Sequence, residues 1–456
     1  MTSSIHIVIL AAGAGKRMRS NRPKVLQLLA GRPLLAYVIE RAKTLAPASI
    51  RIVHGAGGAD IKAALPDADL IWCEQPKPRG TGDALRCGLD GLPAAARVLV
   101  LYGDTPLTPA VDLEALLAAG ADLAVLSAEL DEPAGYGRIV RDGHGRFEAI
   151  VEERDADPTI RAIREVNTGV MTATAGDVRR WLARLTTDNA QGEYLLTDCI
   201  ALAAGEGKQV IALASSAPLD CLGANDRAEL ARLERRLQQI RRAAALAAGI
   251  ALLDPERVEI RGRLEAGRDV TIDTGVILEG DVRLGDEVTL GAGVIVRDST
   301  LAAGTVVEPY SVLDGVHSEG PCRIGPFARL RPGTVLAAGS RVGNFVETKK
   351  TRLGKDSKAN HLSYLGDAEI GAKVNIGAGT ITCNYDGRDK HPTTIGAGVF
   401  IGSNSALVAP LTIGADSLVG AGSVITEDVP AASLALGRGR QVNLPCHEKK
   451  TKKKGG

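Results

Sequence analysis

The chain has 456 residues, which is more than one hydrophobic core usually organises, so we expect two or three domains. Lysine and arginine number 55 against 54 aspartate and glutamate, a balance that gives no basis for nucleic-acid binding. The seven cysteines contain no CxxC pair, and no apolar run of 18 residues occurs. We therefore predict neither a zinc site nor membrane insertion, and we expect a cytoplasmic protein.

Strand-like apolar runs alternate with Ala- and Leu-rich helical stretches through the first half of the chain. The runs span residues 5–10, 50–53, 70–73, 98–102 and 123–126. This alternation predicts a parallel sheet that is covered by helices on both faces, with ligands at the carboxyl ends of its strands.

A glycine-rich turn, LAAGAGKRM at residues 10–18, follows the first of these runs. It is not a Walker A loop, because Lys16 is followed by Arg17, and Met18 stands where a dinucleotide fingerprint has its third glycine. Its amides are suited to phosphates, and Arg17 and Lys24 would supply positive charge. A purely structural strand-to-helix turn is the alternative.

Residues 225–248 predict one helix, with Leu230, Leu233 and Leu237 along a single apolar stripe. We expect this helix to bridge the two halves of the chain. The predicted domains are therefore residues 1–227, a linker helix at 228–250, and residues 251–456.

In the second half an aliphatic residue recurs at every sixth position, in three stretches. These residues are Ile272, Leu278, Leu284, Leu290 and Val296, then Ile324, Leu330, Leu336 and Val342, then Ile395, Ile401, Leu407, Ile413, Val419 and Ile425. A period of six fits neither a helix nor a hairpin strand, and it predicts a parallel β-helix around a buried aliphatic column. A glycine-rich meander of ordinary strands is the alternative.

The six-residue rhythm is broken at two places, residues 349–364 and residues 384–392. Insertions in a solenoid protrude from it, so we expect two loops there that carry chemistry. The lysine-rich end of the chain is either a solvated tail or a patch for anionic surfaces. Its cations are Lys449, Lys450, Lys452, Lys453 and Lys454.

The turn at 10–18, continued by PKVL at 23–26, resembles the signature of sugar-1-phosphate nucleotidylyltransferases. Further motifs of that family follow in order: Gln75, GTG at 80–82, YGD at 102–104, GYGR at 135–138, VE at 151–152, NTG at 167–169 and GANDR at 223–227. Together with the hexapeptide half, residues 7–440 resemble the bifunctional N-acetylglucosamine-1-phosphate uridylyltransferases/glucosamine-1-phosphate acetyltransferases. The resemblance implies a Rossmann-like α/β nucleotidylyltransferase domain followed by a left-handed parallel β-helix of hexapeptide repeats.

The resemblance implies that the first domain joins UTP to N-acetylglucosamine 1-phosphate, giving UDP-N-acetylglucosamine and pyrophosphate. Asp104 and Asn225 would hold Mg²⁺, while Arg17 and Lys24 would stabilise the phosphates. The other implied contacts are Leu10, Ala11, Ala12, Gly13, Gln75, Gly80, Thr81, Tyr102 and Gly103, with Gly137, Glu152 and Asn167 at the sugar. Asp83 stands where the family commonly has histidine, so we assign it no role.

Two of these residues also have structural alternatives. Asp104 ends an apolar run and could cap the next segment, and Asn225 could be the N-cap of the long helix.

The resemblance places N-acetylation of glucosamine 1-phosphate on the β-helix, with acetyl-CoA as donor. His361 would be the general base that removes a proton from the attacking amine. The implied sugar-phosphate contacts are Arg331, Lys349, Tyr364 and Asn375, and the implied acetyl-CoA contacts are Ala378, Asn384, Tyr385, Ser403, Ala421 and Arg438. A hydrogen-bonded structural histidine is the alternative for His361.

Two further function classes compete with a bifunctional enzyme that supplies precursors of the bacterial cell wall and lipopolysaccharide. One is a monofunctional nucleotidylyltransferase with an oligomerising β-helix, against which Lys349 and His361 argue. The other is a non-catalytic regulatory subunit, against which Lys24, Asp104 and Asn225 argue. We expect a homotrimer whose partners are small-molecule substrates.

Overall fold

The computed structural model describes residues 4–13, 15–55, 58–189 and 192–444, so the lysine-rich tail lies outside the described residues. The chain divides into two units, Met1–Gln238 and Gln239–Gly456, and the division falls within one long helix. The domain boundaries that the sequence suggests, at 227 and 250, stay predictions. No helix within the described ranges is long and apolar enough to cross a bilayer.

The N-terminal unit alternates strands and helices along the chain. Its strands are β1 (Ile5–Leu10), β2 (Leu28–Leu29), β3 (Arg32–Pro33), β4 (Ser49–His54), β5 (Leu70–Glu74), β6 (Arg97–Tyr102), β7 (Leu123–Glu129), β8 (Arg138–Arg141), β9 (Phe147–Val151), β10 (Glu165–Thr174) and β11 (Val210–Ala214). Its helices are α1 (Leu34–Thr44), α2 (Gly58–Ala64), α3 (Thr81–Gly88), α4 (Ala110–Ala118), α5 (Pro158–Arg161), α6 (Ala175–Leu182) and α7 (Asp198–Gly205), and α8 (Arg227–Ala247) begins in it. Single 3₁₀ turns lie at Lys16–Met18, Lys24–Leu26 and Pro218–Cys221.

The main sheet has the strand order β11-β7-β10-β6-β1-β4-β5. β1 pairs in parallel with β4 and β6, and β4 pairs in parallel with β5, as the sequence predicts. β10 runs antiparallel between β6 and β7, so the prediction of a parallel sheet is wrong at that strand. The β8–β9 hairpin and the short α5 return the chain to the end of β7, where Glu165 pairs with Glu129, so β10 runs back along β7 in the opposite direction.

Both faces of this sheet are covered. Along β1, Ile7 and Ile9 pack into one hydrophobic cluster, whereas Val8 and Leu10 pack into another. Successive strand side chains point to opposite faces, so a continuous apolar run is the pattern that a doubly covered strand requires. The predicted stripe on α8 is also confirmed, because Leu233 and Leu237 are buried against the N-terminal unit.

The C-terminal unit is a stack of short parallel strands, with a 3₁₀ turn at Pro255–Arg257 between the first two. Its strands are β12 (Ala251–Leu252), β13 (Glu259–Ala266), β14 (Thr271–Ile272), β15 (Ile277–Leu284), β16 (Thr289–Leu290), β17 (Ile295–Arg297), β18 (Thr300–Leu301), β19 (Val306–Val307), β20 (Val312–Asp314), β21 (Val316–Ser318), β22 (Arg323–Ile324), β23 (Arg329–Leu330), β24 (Thr334–Leu336), β25 (Arg341–Asn344), β26 (Glu347–Leu353), β27 (Lys358–His361), β28 (Tyr364–Ile370), β29 (Asn375–Ile376), β30 (Ile381–Cys383), β31 (Thr393–Ile395), β32 (Phe400–Ile401), β33 (Ala406–Val408), β34 (Leu411–Ile413), β35 (Leu418–Val419), β36 (Val424–Ile425) and β37 (Leu434–Ala435).

These strands form the predicted parallel β-helix. Each coil pairs in parallel with the next, so that Ile277 lies beside Ile295 and Ile295 beside Val312. Every residue of the predicted six-residue series is buried, and these side chains belong to one cluster. Burying each side chain contributes about 1.5–3 kcal/mol. The parallel pairing of successive coils contradicts the alternative of a meander, in which neighbouring strands are antiparallel.

Only one of the two predicted interruptions is a loop. Glu347 pairs with Tyr364 and Lys358 with Asn375, so the coils continue through residues 349–364 without an insertion. The prediction of a loop there is wrong, because successive coils of 17 residues instead of 18 shift the rhythm by one position. The second prediction is confirmed: Ala368 pairs with Thr393, 25 positions later, and residues 384–392 leave the stack between them.

Candidate active sites

Three predicted residues from distant parts of the chain meet beside the carboxyl end of β6. The ammonium of Lys24 donates a hydrogen bond of 2.7 Å to Asn225 Oδ1 and forms an ion pair with Asp104. The side chains of Lys24 and Asp104 are only 14% and 15% exposed. Because the ammonium of Lys24 contacts oxygens of both Asp104 and Asn225, these two side chains form a point in the fold that attracts cations.

The position of Asn225 depends on the residues around it. A Cβ atom at Gly223 would lie 2.8 Å from the carboxylate of Asp104, so this segment needs glycine for its close approach. Glu229 N donates to Asp226 Oδ1 at 2.8 Å, and Asn225 N donates to Glu229 Oε2 at 2.6 Å. The N-cap of α8 is therefore Asp226, and the alternative that Asn225 caps the helix is wrong.

The side chains of Asp104 and Asn225 fit the Mg²⁺ ion that the resemblance implies. Both offer oxygen, the ligand that this hard cation prefers, and both face the same cationic point. The described part of the chain contains no cluster of three or more His, Cys, Asp or Glu side chains suited to a metal. A site with two protein oxygens suits Mg²⁺, which usually keeps water and substrate phosphates as its remaining ligands.

The predicted phosphate turn offers fewer amides than the motif suggests. The amide of Ala11 donates across the sheet to β4 at 2.8 Å, so it is unavailable for a ligand. The amide of Gly103, which lies outside the turn, is likewise engaged, because it donates to Leu10 O at 2.9 Å. Ala12 and Gly13 follow at the open end of the turn, where a Cβ at Gly13 would touch nothing within 4 Å.

Arg17 is exposed on the turn Lys16–Met18, whose last residue is buried, and no ion pair reaches Arg17 within the described ranges. Its charge acts on Tyr136: burial, together with Glu229 and Asp104, raises the pKa of that phenol, and Arg17 opposes the rise. Arg17 therefore belongs to the same electrostatic neighbourhood as the Lys24–Asp104–Asn225 cluster.

The residues predicted to read the base lie together. Gln75 is 4% exposed, and its Nε2 donates to Gly80 O at 3.2 Å and to Asp83 Oδ2 at 3.0 Å. Thr81 Oγ1 accepts a hydrogen bond of 3.1 Å from Leu196 N. Asp83, to which we assigned no role, therefore holds the side chain of Gln75 in place. The signal in the sequence that pointed to this residue was that Asp83 stands where the family commonly has histidine.

The predicted sugar contacts also converge. Asn167 N donates to Gly137 O at 2.8 Å, and the register of the β8–β9 hairpin places Glu152 opposite Gly137. Thr197, which sequence reasoning missed, donates to Glu152 Oε1 at 3.1 Å. Burial, with Asp104 and Glu152 adding to it, raises the pKa of the nearby Tyr102 hydroxyl, which therefore stays a neutral donor.

In the β-helix, three predicted residues gather around Asp367. Lys349 Nζ donates to Asp367 Oδ2 at 3.2 Å, and Asn384 Nδ2 donates to the same oxygen. A Cβ atom at Gly366 would overlap the Tyr364 hydroxyl and lie 2.8 Å from Asn384 Nδ2. Glycine is therefore required where Tyr364 and Asn384 close over the strand.

Two more cations stand beside this group. Arg331 Nη1 donates to Glu347 Oε1 at 3.0 Å, and Lys390 comes from the protruding loop at 384–392. A hydrogen bond that Lys349 donates to the amine of Lys390, and then the positive charge of Lys349, lower the pKa of Lys390, and Arg331 adds to the effect. Donating that hydrogen bond, and then the interaction with Asp367, raise the pKa of Lys349. A bound anion would stabilise such crowding of cations. The sequence analysis predicted no role for Lys390 or for Asp367.

His361 stands on a different strand. It is exposed, and its Nδ1 lies 2.8 Å from Oδ1 of Asn344, the residue opposite it in the register of β25 and β27. Asn375 projects from β29 beside Phe400. Among the residues described, no hydrogen bond or ion pair joins His361 or Asn375 to Lys349.

The predicted acetyl-CoA residues line up along successive coils. Ala378 O accepts from the next coil at 2.7 Å, Ser403 O likewise at 2.8 Å, and Ala421 O accepts from Arg438 Nη1 at 2.7 Å. These small side chains form a track along successive coils. Tyr385, in the protruding loop, is 58% exposed.

Comparison with known proteins bears on both units. Residues 7–246 match the family model of the MobA-like NTP transferase domain, and residues 392–427 match that of the bacterial transferase hexapeptide. "Bifunctional protein GlmU" of Xanthomonas axonopodis pv. citri is 56% identical over 99% of this chain and 100% of its own length. The proteins of the same name from Stenotrophomonas maltophilia and Alkalilimnicola ehrlichii are 52% and 49% identical, over 99% and 97% of this chain and 100% and 96% of theirs.

These matches confirm the predicted fold class, a nucleotidylyltransferase domain followed by a left-handed β-helix of hexapeptide repeats. They also confirm the resemblance on which the site residues were chosen. With one such domain in each half and about half of all positions identical along the whole length, the chain belongs to the family of bifunctional GlmU proteins.

Proposed function

We propose that the two clusters of polar side chains carry the two half-reactions of this bifunctional enzyme. The β-helix acetylates glucosamine 1-phosphate with acetyl-CoA, and the N-terminal unit couples the resulting N-acetylglucosamine 1-phosphate to UTP. The observation that carries the proposal is the meeting of Lys24, Asp104 and Asn225, which come from three distant segments of the chain. The product is a precursor for the bacterial cell wall and lipopolysaccharide.

Uridylyl transfer needs charge neutralisation and alignment more than covalent chemistry, because a sugar phosphate attacks the α-phosphorus of UTP in line. Asp104 and Asn225 would hold Mg²⁺, which when bound would neutralise phosphate charge. Lys24 and Arg17 supply further positive charge. Gln75, Gly80 and Thr81 hold the nucleoside, and Gly137, Glu152 and Asn167 hold the sugar.

Acetyl transfer begins with a proton removed from the amine of glucosamine 1-phosphate. If Nδ1–H of His361 donates to Asn344, the lone pair of the imidazole stands at Nε2, where it accepts that proton. The C–N bond then forms as the C–S bond of acetyl-CoA breaks, and coenzyme A leaves as a thiol after taking up a proton. Arg331, Lys349 and Lys390 anchor the phosphate.

The sugar and the acetyl donor are held by the remaining predicted residues. Tyr364 and Asn375 contact the sugar. The track of Ala378, Ser403 and Ala421, with Arg438 at its end and the loop of Asn384 and Tyr385 at its side, takes acetyl-CoA.

The proposal extends to assembly as a homotrimer through the β-helix. Hexapeptide repeats are matched there, and a ridge of exposed rings, Tyr310, Phe327 and Phe345, runs along successive coils with centroids 5.3 and 5.5 Å apart. An exposed apolar ridge of this kind favours burial against another chain. A second chain would also bring partners to His361 and Asn375. Light scattering of the full chain should give three times 47.5 kDa, and a fully active monomer would contradict this assembly.

A cytoplasmic location is part of the same proposal. UTP and acetyl-CoA are metabolites of that compartment, and the described cysteines are free thiols.

The whole function is tested by supplying substrates in turn. With glucosamine 1-phosphate, acetyl-CoA, UTP and Mg²⁺, the protein should form UDP-N-acetylglucosamine and pyrophosphate, and omitting acetyl-CoA should stop both products. A monofunctional enzyme would make the nucleotide sugar only from N-acetylglucosamine 1-phosphate. A regulatory subunit would form neither.

A further inference from the structure

The carboxamide of Gln75 is held from behind by two oxygens. Its Nε2 donates to the backbone oxygen of Gly80 at 3.2 Å and to Asp83 Oδ2 at 3.0 Å. The main chain of Gln75 is tied to β4, because Gln75 N donates to His54 O at 2.8 Å. With only 4% of the residue exposed, the side chain has little room to turn.

This arrangement decides which end of the carboxamide faces outward. An amide nitrogen has two hydrogens, and here each has an acceptor. Turning the group over would put Gln75 Oε1 against two oxygens that have no hydrogen to offer, one of them a carboxylate. Gln75 Oε1 therefore remains as the group for a ligand, and within the described ranges no side-chain or backbone donor reaches it.

We propose that Asp83 is a positioning residue that makes Gln75 a pure hydrogen-bond acceptor and thereby selects uracil over cytosine. The inference rests on the proposed function, in which Gln75 contacts the base of UTP. Uracil carries a hydrogen on N3, which an acceptor can bind. Cytosine has a lone pair at N3, which a fixed acceptor repels.

A purely structural role for Asp83 makes a different prediction. Asp83 lies in the first turn of α3, where a negative charge is favourable, and Arg86 Nη1 is 3.5 Å from its carboxylate. If these interactions were its whole purpose, losing the charge would affect stability and would leave the choice between the two bases unchanged.

Two substitutions separate these roles. Asp83→Asn and Asp83→Ala both remove the charge, but only asparagine keeps an oxygen that accepts from Gln75 Nε2. The measurement is kcat/KM for UTP and for CTP in uridylyl transfer, with thermal unfolding of each variant as the control. We expect Asp83→Ala to lower the UTP:CTP ratio about 5- to 20-fold, the worth of one such hydrogen bond. Asp83→Asn should keep the ratio within about twofold of wild type.

Each outcome bears on the inference. If the Ala and Asn variants lose the same activity and both keep the wild-type ratio, Asp83 is structural and the inference is wrong. If both lose the ratio equally, the charge itself selects the base, and the acceptor argument is wrong. A wild-type protein that transfers no uridylyl group at all would instead overturn the proposed function on which the inference rests.

Discussion

The two units assemble their polar clusters by opposite routes. Lys24 and Asn225 meet although 201 positions separate them in the chain, and Asp104 joins them from a third segment. In the β-helix, Asp367 meets Lys349 and Asn384 at separations of 18 and 17 positions, which is one coil in either direction. The first cluster depends on the whole fold of its unit, whereas the second depends on the register between neighbouring coils and on the loop at 384–392, to which Asn384 belongs. The two should therefore respond independently to substitution.

The largest effect that tests this independence is expected from Asp104→Ala. It removes a charged Mg²⁺ ligand, and metal charge stabilisation is worth several kcal/mol, so uridylyl transfer should fall by about 10³- to 10⁵-fold. Acetyl transfer by the same preparation should stay within about twofold of wild type. Pyrophosphate release near the wild-type rate would show that the metal assignment is wrong.

His361→Ala is the reciprocal experiment. A positioned base is worth about 10²- to 10⁴-fold, so acetyl-transfer turnover should fall by that factor while uridylyl transfer is unchanged. The KM for glucosamine 1-phosphate should change little, in contrast to Lys349→Ala, which should also raise KM. If His361→Ala keeps more than about a third of wild-type acetyl transfer, another group takes the proton.

A matched pair of glycines sharpens the comparison. Gly223→Ala places a methyl group against the carboxylate of Asp104, and Gly366→Ala places one against Tyr364 and Asn384. The nearest obstructing atoms belong to side chains, so each variant should fold but displace functional groups. We expect each to lose about 10- to 100-fold of its own half-reaction and neither to affect the other.

Gly143→Ala is the control for this pair, since a Cβ there meets nothing within 4 Å. Loss of both activities in either variant, accompanied by a large drop in Tm, would indicate a folding defect instead.

The smallest effect concerns pH. The pKa of Lys390 is lowered from the ordinary lysine value of 10.5, so this lysine loses its proton at a lower pH than a free lysine does. Below that pKa its charge attracts phosphate, and above it the charge is gone. The Ki of N-acetylglucosamine 1-phosphate, a product without an amine, should therefore rise a few-fold as pH increases through this range.

Variants at Lys390 provide the controls. Lys390→Met should have the raised Ki already at neutral pH, and Lys390→Arg should keep the low Ki across the alkaline range. An identical pH profile in wild type and Lys390→Met would show that this lysine does not bind the phosphate.

The sequence predicted the parts of the fold that repeat. Residues such as Ile272 and Leu290 recur because every coil must bury one side chain in the same place, so periodicity alone reveals the β-helix. Neither β10 nor its direction was predicted, because its sequence, EVNTGVMTAT, mixes polar and apolar residues and does not form a continuous apolar run. The break in the rhythm at 349–364 was wrongly interpreted as a loop. A coil that is shorter by one residue shifts the six-residue period, and in the sequence this shift looks the same as an insertion.

The candidate sites show a similar division. Residues proposed to touch substrates, such as Lys24 and Lys349, stood in motifs and were predicted, and the structure places them in polar clusters. Residues that hold them, such as Asp83 and Asp367, were missed. Their roles depend on which side chains the fold brings beside them, and a single sequence does not contain that information.

The loop at 384–392 has a consequence for how such a protein changes over time. Stacking resumes undisturbed after it, since Ala368 pairs with Thr393 and Ile381 with Ala406. A segment that enters and leaves the stack at one place can be lengthened, shortened or exchanged without altering any neighbouring coil. Preferences for a different sugar phosphate as the acceptor of the acetyl group can therefore evolve through a few substitutions in this loop. The β-helix that keeps the enzyme folded then stays unchanged.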